Sequence, residues 1–358
     1  MILNLGWVFI IYQRYATITA SGAAVPEKVL TNKDLERILG HVDDFPDTGT
    51  SDEWIFHRTG IKERRIVSEG ENTKTLAIQA AKNLFDSYDV PYGKVQHVIV
   101  AHNTPPEFVN FPSVAHSVAG ALGLKCGAAD IQVGCSGFGY ALSYANSLIR
   151  DNVYDCVLVG GVDCLSQITD YSDRETCVLF GDLGAFVMLE ASGRPGIINS
   201  YMSSDPDTRG LLTEVRKKGR KLAWKNGRFE LGDEVEQNYI CMHGKRVYAF
   251  AVGAIIECVE KVLEGTEYEL GDIDLFVPHQ ANMRMIESVS DKLGLPLEKF
   301  YMNIDRFGNT STASYPFAIH DAVSKGLIKN DDLILTLVFG AGLSKGATLM
   351  RWNNNVDS

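Results

Sequence analysis

The amino-acid sequence predicts an α/β protein in which strands and helices alternate along the chain. Apolar, β-branched runs such as 95–101 and 155–161 have the composition of buried strands. Between such runs, segments such as 72–88 place apolar residues at three- and four-residue spacing, the period of an amphipathic helix. Strands separated by helices favour parallel pairing in a layered sheet. Because the same alternation returns later in the chain, we predict two similar halves, residues 15–198 and 199–358.

Length and composition indicate a folded globular enzyme rather than a fibrous or disordered chain. With 358 residues, 45% of them hydrophobic and 22% charged, the sequence can bury two domain-sized cores. Its formal net charge of −11 argues against a nucleic-acid partner, because phosphate neutralisation needs an excess of Lys and Arg. A local basic patch that binds an acidic carrier remains compatible with this charge.

The cysteines and the first residues bear on the location of the protein. The seven cysteines are odd in number, scattered, and form no C-x-x-C pair, so neither a disulfide framework nor a metal site is indicated. We therefore expect a reducing, cytoplasmic setting. Residues 1–14 form an N-terminal extension whose apolar stretch, 2–12, is shorter than the roughly 20 residues of a membrane span. We expect an extra edge strand or a simple extension there, with a targeting or membrane-surface role as the alternative and no stable membrane insertion.

The compact fold is predicted to begin near residue 15, and its early elements follow from local signals. Thr31 or Asn32 fits the N-cap position of a helix. Residues 41–50, rich in Asp, Gly, Pro and Thr, are typical of a loop. The segment after this loop places Trp54 and Arg58 one helical turn apart. Core packing of Trp54 and a solvated surface position of Arg58 are the alternatives to a binding role.

Cys135 stands between a predicted strand and a predicted helix. Ile131 and Val133 precede it as the end of an apolar strand, and Phe138 and Leu142 begin a core-facing helical pattern behind it. The thiol then lies at or just before a helix N-terminus. Unpaired backbone N–H groups and the helix dipole favour the nucleophilic thiolate at such a position. A buried structural cysteine is the alternative.

The middle of the chain is less regular. Over residues 199–239 the periodic pattern weakens, and 216–221 is the densest basic run of the sequence. We interpret this run as a solvated loop, with a docking patch for an acidic carrier as the alternative. A long helix is predicted from Gly244.

In the second half of the chain, two apolar segments that resemble strand ends are followed by polar residues, His279 and Asn309. Taken singly, they are typical of an interior histidine and of a turn residue. Together with Cys135 they indicate one site, held by the segments Cys135-Ser136-Gly137-Phe138, Pro278-His279-Gln280-Ala281-Asn282 and Gly308-Asn309-Thr310-Ser311. With these segments in this order, the sequence resembles the β-ketoacyl-acyl-carrier-protein synthase III family of the thiolase-like superfamily, from about residue 15 to residue 352.

The resemblance implies a thiolase-like, five-layered αβαβα fold, usually as a homodimer, and a decarboxylative Claisen condensation. Cys135 would accept an acyl group from acyl-CoA, and malonyl-acyl carrier protein would supply the carbon nucleophile. His279 and Asn309 would stabilise the enolate, and the backbone N–H groups of Cys135 and Ala341 would form the oxyanion hole. Both substrates are thioesters, and the chemistry needs neither a metal nor a redox cofactor.

The resemblance also implies roles in substrate binding. The residues concerned are Trp54, Arg58 and Arg174 at the CoA nucleotide, Asn282 at the pantetheine arm, Arg284 at the acidic carrier protein, and Phe111 reaching across the dimer to the other acyl pocket. Structural roles remain the alternative for each of them.

The sequence departs from the usual family pattern at two places. Ala249 and Asp291 stand where basic docking residues are usual, which leaves Arg284 and Lys292 nearby. The usual Gly-Gly-Gly-Phe-Thr becomes residues 340–344, Gly-Ala-Gly-Leu-Ser, which bears on acyl preference.

Three functional hypotheses follow. The first is a condensing enzyme that initiates fatty-acid synthesis, and the second is a specialised enzyme of secondary metabolism with a different donor or acceptor. The third is a catalytically silent partner subunit, which the retention of all three polar catalytic groups disfavours.

Overall fold

A computed structural model of the protein describes residues 14–88, 90–106, 111–207 and 209–353. The predicted N-terminal extension lies outside the described residues except for Arg14. The Arg14 side chain donates from Nε to the carbonyl oxygen of Ile149 at 2.7 Å. Within the described ranges, no helix combines the length and the apolar composition needed to cross a bilayer.

Strands and helices alternate along the described chain, as the sequence predicts. The strands are β1 (Tyr15–Ala24), β2 (Lys28–Thr31), β3 (Glu63–Ile66), β4 (His97–Ala101), β5 (Gly127–Ile131), β6 (Cys156–Cys164), β7 (Asp182–Ser192), β8 (Ile197–Ser204), β9 (Leu212–Lys225), β10 (Arg228–Met242), β11 (Leu275–Pro278), β12 (Leu333–Gly340) and β13 (Ser344–Arg351). The α-helices are α1 (Asn32–Leu39), α2 (Asp52–Thr59), α3 (Thr73–Tyr88), α4 (Val114–Ala121), α5 (Gly137–Arg150), α6 (Arg174–Cys177), α7 (Gly244–Leu263), α8 (Met283–Leu293), α9 (Ile304–Phe307) and α10 (Ser314–Ser324).

Two mixed sheets with corresponding strand orders form the frame of the molecule. The first has the order β1-β7-β6-β4-β5, with β4 parallel to β5 and β6, and β7 antiparallel to β6 and β1. The second, β11-β12-β13-β8, repeats the directions of β4-β6-β7-β1. In place of a counterpart to β5, an isolated parallel bridge joins Phe276 to Phe300. The predicted boundary at residues 198–199 stays a prediction.

The helices and the two sheets form five layers. Helices α5 and α10 lie between the sheets and share one apolar core with both. Helices α3 and α4 cover the outer face of the first sheet, and α7 and α8 cover the outer face of the second. The predicted thiolase-like αβαβα fold is therefore confirmed.

The buried strands serve two cores at once because their side chains alternate between faces. In β4, Val98 and Val100 pack in the outer core, whereas Ile99 and Ala101 pack in the central one. A strand covered on both faces has a continuous apolar sequence instead of an alternating one. This explains why the run at 95–101 is apolar throughout.

The solvated loop predicted around the basic run is wrong, because this region folds as a long antiparallel hairpin of β9 and β10. Its inner face buries apolar residues such as Phe229 and Ile240. On its outer face, Lys218 lies 3.5 Å from Glu234. Arg216, Lys217 and Lys218 are each paired with an acidic side chain of the same chain, which weakens the carrier-docking alternative.

Gly161 in β6 illustrates how closely the sheet approaches the polar segment before α10. A Cβ at this position would lie 2.3 Å from the carbonyl oxygen of Thr312. Backbone cannot yield as the tip of a flexible side chain can, so the contact requires glycine.

We predict that Gly161→Ala lowers the free energy of unfolding by about 1–3 kcal/mol, as overpacked cores do. The matched control is Gly253→Ala on α7, where nothing lies within 4 Å of the added methyl group. Alanine is favoured over glycine in a helix by about 0.5–1 kcal/mol, so this control should be unaffected or more stable. Urea denaturation of both variants measures the difference, and equal midpoints would contradict the steric argument.

Candidate active site

Cys135, His279 and Asn309 line one cavity of about 1220 Å³. Cys135 precedes α5, His279 directly follows β11, and Asn309 lies between α9 and α10. The first residue belongs to the first half of the fold and the other two to the second. The structure thus brings together the three residues that the sequence singles out, at the junction of the two halves.

The turn that carries Cys135 is a tight connection from strand to helix. Gly134 has φ +53°, a left-handed conformation that favours glycine. The amide of Gly137 donates to the carbonyl of Gly134 at 3.0 Å. Helix α5 begins at Gly137 with Ser136 as its N-cap, so the predicted place of the thiol, just before a helix N-terminus, is confirmed.

Two glycines let the two halves touch at this turn. A Cβ at Gly340 would lie 2.6 Å from the backbone nitrogen of Cys135. A Cβ at Gly134 would lie 2.8 Å from the backbone nitrogen of Ala341. The segments that carry the Cys135 and Ala341 amides are therefore in direct contact, as a shared oxyanion hole requires.

Burial favours the protonated form of the Cys135 thiol. Burial raises its pKa to about 11, the hydrogen bond from Ser311 lowers it, and the charge of Asp163 raises it. The helix terminus and burial therefore act in opposite directions on the charged form of the thiol. The terminus is weaker as an anion site because the Gly137 amide is already bonded to Gly134.

A buried polar network surrounds the thiol. The Ser311 hydroxyl donates to Cys135 Sγ at 3.4 Å, and Asn103 Nδ2 donates to Ser311 Oγ at 3.2 Å. Asn103 is fixed by Asp163, which accepts from its amide at 2.7 Å and from its Nδ2 at 3.1 Å. The network places one hydrogen-bond donor next to the sulfur.

His279 is hydrogen-bonded through its Nδ1 atom. Its Nδ1 lies 2.5 Å from Ser314 Oγ, and this hydroxyl accepts from the amide of Gln280 at 3.4 Å. In the tautomer whose Nδ1 accepts the hydrogen of this hydroxyl, the proton of the neutral ring sits on Nε2. Burial lowers the pKa of His279 to about 3, so the ring stays neutral and acts as an N–H donor.

Hydrogen bonds also fix the orientation of Asn309. Its backbone amide donates to the carbonyl of Leu179 at 2.8 Å, and its carbonyl accepts from Gly181 at 3.0 Å. Its side-chain oxygen accepts from the amide of Ser311 at 2.9 Å. The remaining end of the side chain is the NH2 group, so Asn309 also offers a donor.

Trp54 lies beneath two arginines at the cavity. The guanidinium carbons of Arg58 and Arg174 lie 4.1 Å and 4.8 Å from the centre of a Trp54 ring. The side chain of Arg174 is held by the loop at residues 41–50, which precedes α2. It donates to the carbonyls of Pro46 at 2.9 Å and Gly49 at 2.6 Å. All three side chains line the cavity, and together they form a flat, positively charged surface.

Asn282 and Arg284 also line this cavity. Asn282 caps α8 by accepting from the amide of Arg284 at 2.9 Å, and its Nδ2 donates to the carbonyl of Arg58 at 3.0 Å. Phe111, in contrast, lies outside the lining and is 82% exposed. Within one chain, the structure does not bring Phe111 to the site.

Several residues around the site escaped the sequence analysis. Three basic residues at the start of α7 also line the cavity, namely His243, Lys245 and Arg246. The sequence did predict a helix from Gly244, and this placed the three residues at its start. Ser311 and Ser314 lie within or beside a segment that the sequence singled out. Asp163 has no local signal, because its partners are distant in sequence.

Comparison with known proteins places the chain in a family. A β-ketoacyl-[acyl-carrier-protein] synthase III 2 from Staphylococcus epidermidis is 42% identical over 344 residues, which cover 95% of this chain and 99% of that relative. The chain belongs to the β-ketoacyl-[acyl-carrier-protein] synthase III family. The family description 3-oxoacyl-[acyl-carrier-protein (ACP)] synthase III matches residues 129–206, and the description of its C-terminal part matches residues 263–352.

Other synthases III support the same assignment. The one from Caldanaerobacter subterraneus is 41% identical over 94% of this chain and 98% of its own length. The crystal structure of the Aquifex aeolicus enzyme is 38% identical, has a TM-score of 0.82, and covers 94% of this chain and 100% of that chain. As a member of this family, the protein is a condensing acyltransferase.

We predict that alkylation of Cys135 in this synthase accelerates about tenfold per pH unit between pH 7 and 9, since only the thiolate reacts and its fraction grows with pH below the pKa. Ser311→Ala should slow the reaction at each pH, because the hydrogen bond that lowers the pKa is lost. Iodoacetamide labelling, followed by peptide mass spectrometry, measures the Cys135 rate.

Ser324→Ala is the matched control, because the Ser324 hydroxyl only donates to a carbonyl of its own helix, that of His320, at 2.8 Å. If the alkylation rate of Cys135 in the unmodified protein levels off near pH 7, the resting group is a thiolate and the prediction is wrong.

Proposed function

We propose that this synthase joins an acyl group from acyl-CoA to a malonyl group on acyl carrier protein through an acyl-Cys135 intermediate, and so initiates fatty-acid synthesis. One observation carries the proposal: a single cavity holds a cysteine together with two neutral N–H donors, His279 and Asn309. Decarboxylative condensation needs this set, a nucleophile for the acyl group and donors for an enolate oxygen. Both substrates bring their own thioesters, and the reaction calls for no further cofactor.

In the first half-reaction, Cys135 Sγ attacks the thioester carbon of acyl-CoA. The bond from carbon to the CoA sulfur breaks, CoA leaves, and the thiol proton of Cys135 ends on the CoA sulfur. The negative charge of the tetrahedral intermediate falls on the former carbonyl oxygen. The amides of Cys135 and Ala341, whose segments are in contact, are suited to hold it, and losing one such donor typically costs about 10²–10³ in rate.

In the second half-reaction, malonyl-acyl carrier protein loses CO₂ and forms a thioester enolate. His279 Nε2–H and the Asn309 NH2 group donate to the enolate oxygen as its charge develops. The enolate carbon attacks the acyl carbon on Cys135, a carbon–carbon bond forms, and the sulfur leaves and takes up a proton. In this role neutral His279 carries its proton on Nε2 and serves as a donor and not as a base.

The charges around the cavity suit both CoA and the acyl carrier protein. The Trp54 surface with Arg58 and Arg174 offers stacking and positive charge to the CoA nucleotide. Asn282 lines the same cavity, donates to the carbonyl of Arg58, and is suited to the pantetheine arm. Exposed Arg284 would meet the acidic carrier, a contact that weakens at high salt. The exposed side chains of Lys245 and Arg246 add charge on the same cavity, near the uncharged Ala249.

We also propose a homodimer in the cytoplasm. Strand β5 is an edge of the first sheet and is only partly buried, which leaves backbone groups for pairing with a second copy. The exposed ring of Phe111 is compatible with a contact to the partner's acyl pocket. Sedimentation velocity of the full chain tests this assembly.

Intact-protein mass spectrometry tests the proposed reaction directly. The protein is incubated with a panel of unsubstituted acyl-CoAs and then with malonyl-acyl carrier protein. We expect a mass gain of one acyl group, absent in Cys135→Ser, that the second substrate discharges into a 3-ketoacyl product. Labelling without discharge would favour the specialised enzyme with another acceptor, and no labelling by any donor would favour the silent subunit.

We predict that His279→Ala and Asn309→Ala separate the two half-reactions. Both variants should still become acylated on Cys135, because their donors serve the enolate. Decarboxylation of malonyl-acyl carrier protein should fall by about 10²-fold or more in each. A control is His116→Ala, an exposed histidine on α4 that lies outside the cavity lining. Equal loss of both half-reactions in the two variants would contradict these roles.

A further inference from the structure

The two amides assigned to the oxyanion hole lie in segments 133–137 and 340–344, which belong to different halves of the fold. The segments touch closely, since a Cβ at Gly340 would lie 2.9 Å from the backbone nitrogen of Ser136. Within the described parts of the chain, however, no backbone hydrogen bond crosses from one segment to the other. Contact sets a minimum distance between the two amides, whereas a hydrogen bond also sets a direction. Side chains supply the directional link.

Two buried hydroxyls make this link. Ser136 Oγ and Ser344 Oγ are hydrogen-bonded to each other, and the exposed fractions of the two residues are 0% and 2%. Ser344 Oγ also donates to the carbonyl of Val133, on the other segment, at 3.3 Å. Within its own segment, each hydroxyl lies 2.9 Å from a carbonyl oxygen, that of Val133 for Ser136 and that of Ala341 for Ser344. The hydroxyl pair thus bridges the turn that carries Cys135 and the segment that carries the Ala341 amide.

A count of hydrogens shows that the two hydroxyls act as a unit. Each serine has one hydrogen to donate. When one hydroxyl donates to the other, only the accepting hydroxyl still has its hydrogen for a carbonyl. Removal of either hydroxyl therefore changes the bonding of the one that remains.

Ser136 uses its hydroxyl for this link and not for its helix. Serine at an N-cap commonly has an extended backbone and accepts from an amide two or three residues ahead. Ser136 is the N-cap of α5, but its backbone has φ −82° and ψ −3°, and its side chain makes no such bond. The hydroxyl is bonded instead to Val133, behind it in the chain, and to Ser344.

The segment that carries the Ala341 amide has other supports that do not involve the two serines. The amide and the carbonyl of Leu343 both bond to the backbone of Asp205, each at 2.8 Å. The amide of Asp207 donates to the carbonyl of Gly342 at 2.8 Å. The segment therefore stays folded when a serine hydroxyl is removed, and what changes is its place relative to the turn of Cys135.

We propose that Ser136 and Ser344 are positioning residues, whose hydroxyl pair holds the Ala341 amide where it donates, together with the Cys135 amide, to the oxyanion. Neither serine lines the cavity, so both act through the backbone that they hold. This inference rests on the proposed function and extends it to residues that the substrate does not reach. A displacement of about 1 Å in such an arrangement can cost about 10² in rate.

The test compares two reactions of the same thiol in the full-length protein. Acylation by acyl-CoA places negative charge on a carbonyl oxygen, whereas alkylation by iodoacetamide expels iodide and forms no oxyanion. We expect Ser344→Ala to slow single-turnover acylation of Cys135 by about 10- to 100-fold and to leave its alkylation rate within about twofold. Ser136→Ala should act in the same direction. The double variant should lose less than the product of the two single losses, because the hydroxyls act as a unit. Intact mass measures acylation, and peptide mass spectrometry measures alkylation.

Ser290→Ala is the matched control, since it removes a buried hydroxyl that donates to a carbonyl, that of Leu295, at 2.7 Å, outside the cavity lining. Both rates should stay unchanged in this control. Unchanged acylation in Ser344→Ala would overturn the inference while leaving the proposed function intact. Equal changes in acylation and alkylation would also overturn it, because they would mean a displaced thiol. A double variant that loses the full product of the single losses would show two independent serines and would overturn the pair. If no acyl-CoA donor acylates the unmodified protein, both the inference and the proposed function are wrong.

Discussion

The buried carboxylate of Asp163 is the constraint on which the active site depends. Asp163 is fully buried in β6 and accepts hydrogen bonds from the amides and side chains of Asn103, Thr104 and Thr312. Two loops from different halves are thereby tied to one strand. This tie helps to hold Ser311 beside Cys135, together with the bond from the Ser311 amide to Asn309. A buried charge with this many donors is well satisfied, and removing it would leave those donors unpaired.

Burial keeps the two titratable groups of the resting site uncharged, and the same carboxylate adds to this effect at Cys135. Burial, and to a lesser degree the negative charge of Asp163, raise the pKa of the Cys135 thiol. Burial keeps His279 neutral in the same cavity. In the proposed reaction, the N–H donors of this site would meet charges that exist only during turnover. Preorganised donors in a cavity with little water stabilise such transient charges far better than water does.

Local sequence patterns predicted the elements and the catalytic candidates, because both depend on nearby residues. The α3 helix, the β4 strand and the turn at Cys135 follow from spacing and from glycine chemistry. The hairpin of β9 and β10 was missed, because its outer face is built from paired charges that hide the two-residue period. The protonation state of Cys135 could not be predicted from the helix terminus, since it depends on burial. The role of Asp163 could not be predicted either, because its hydrogen-bond partners come together only in the folded protein.

The contact of Gly134 and Gly340 with the opposite segment has a consequence for the newly made protein. On the ribosome, the first sheet and its thiol emerge well before the last strands, β12 and β13, have been synthesised, and domains tend to fold as they emerge. At that stage Cys135 lacks the neighbouring amide of Ala341. The two-amide arrangement arises only after the final strands pack. The arrangement is thus timed to the synthesis of β12 and β13, and a product that terminates before these strands lacks it altogether.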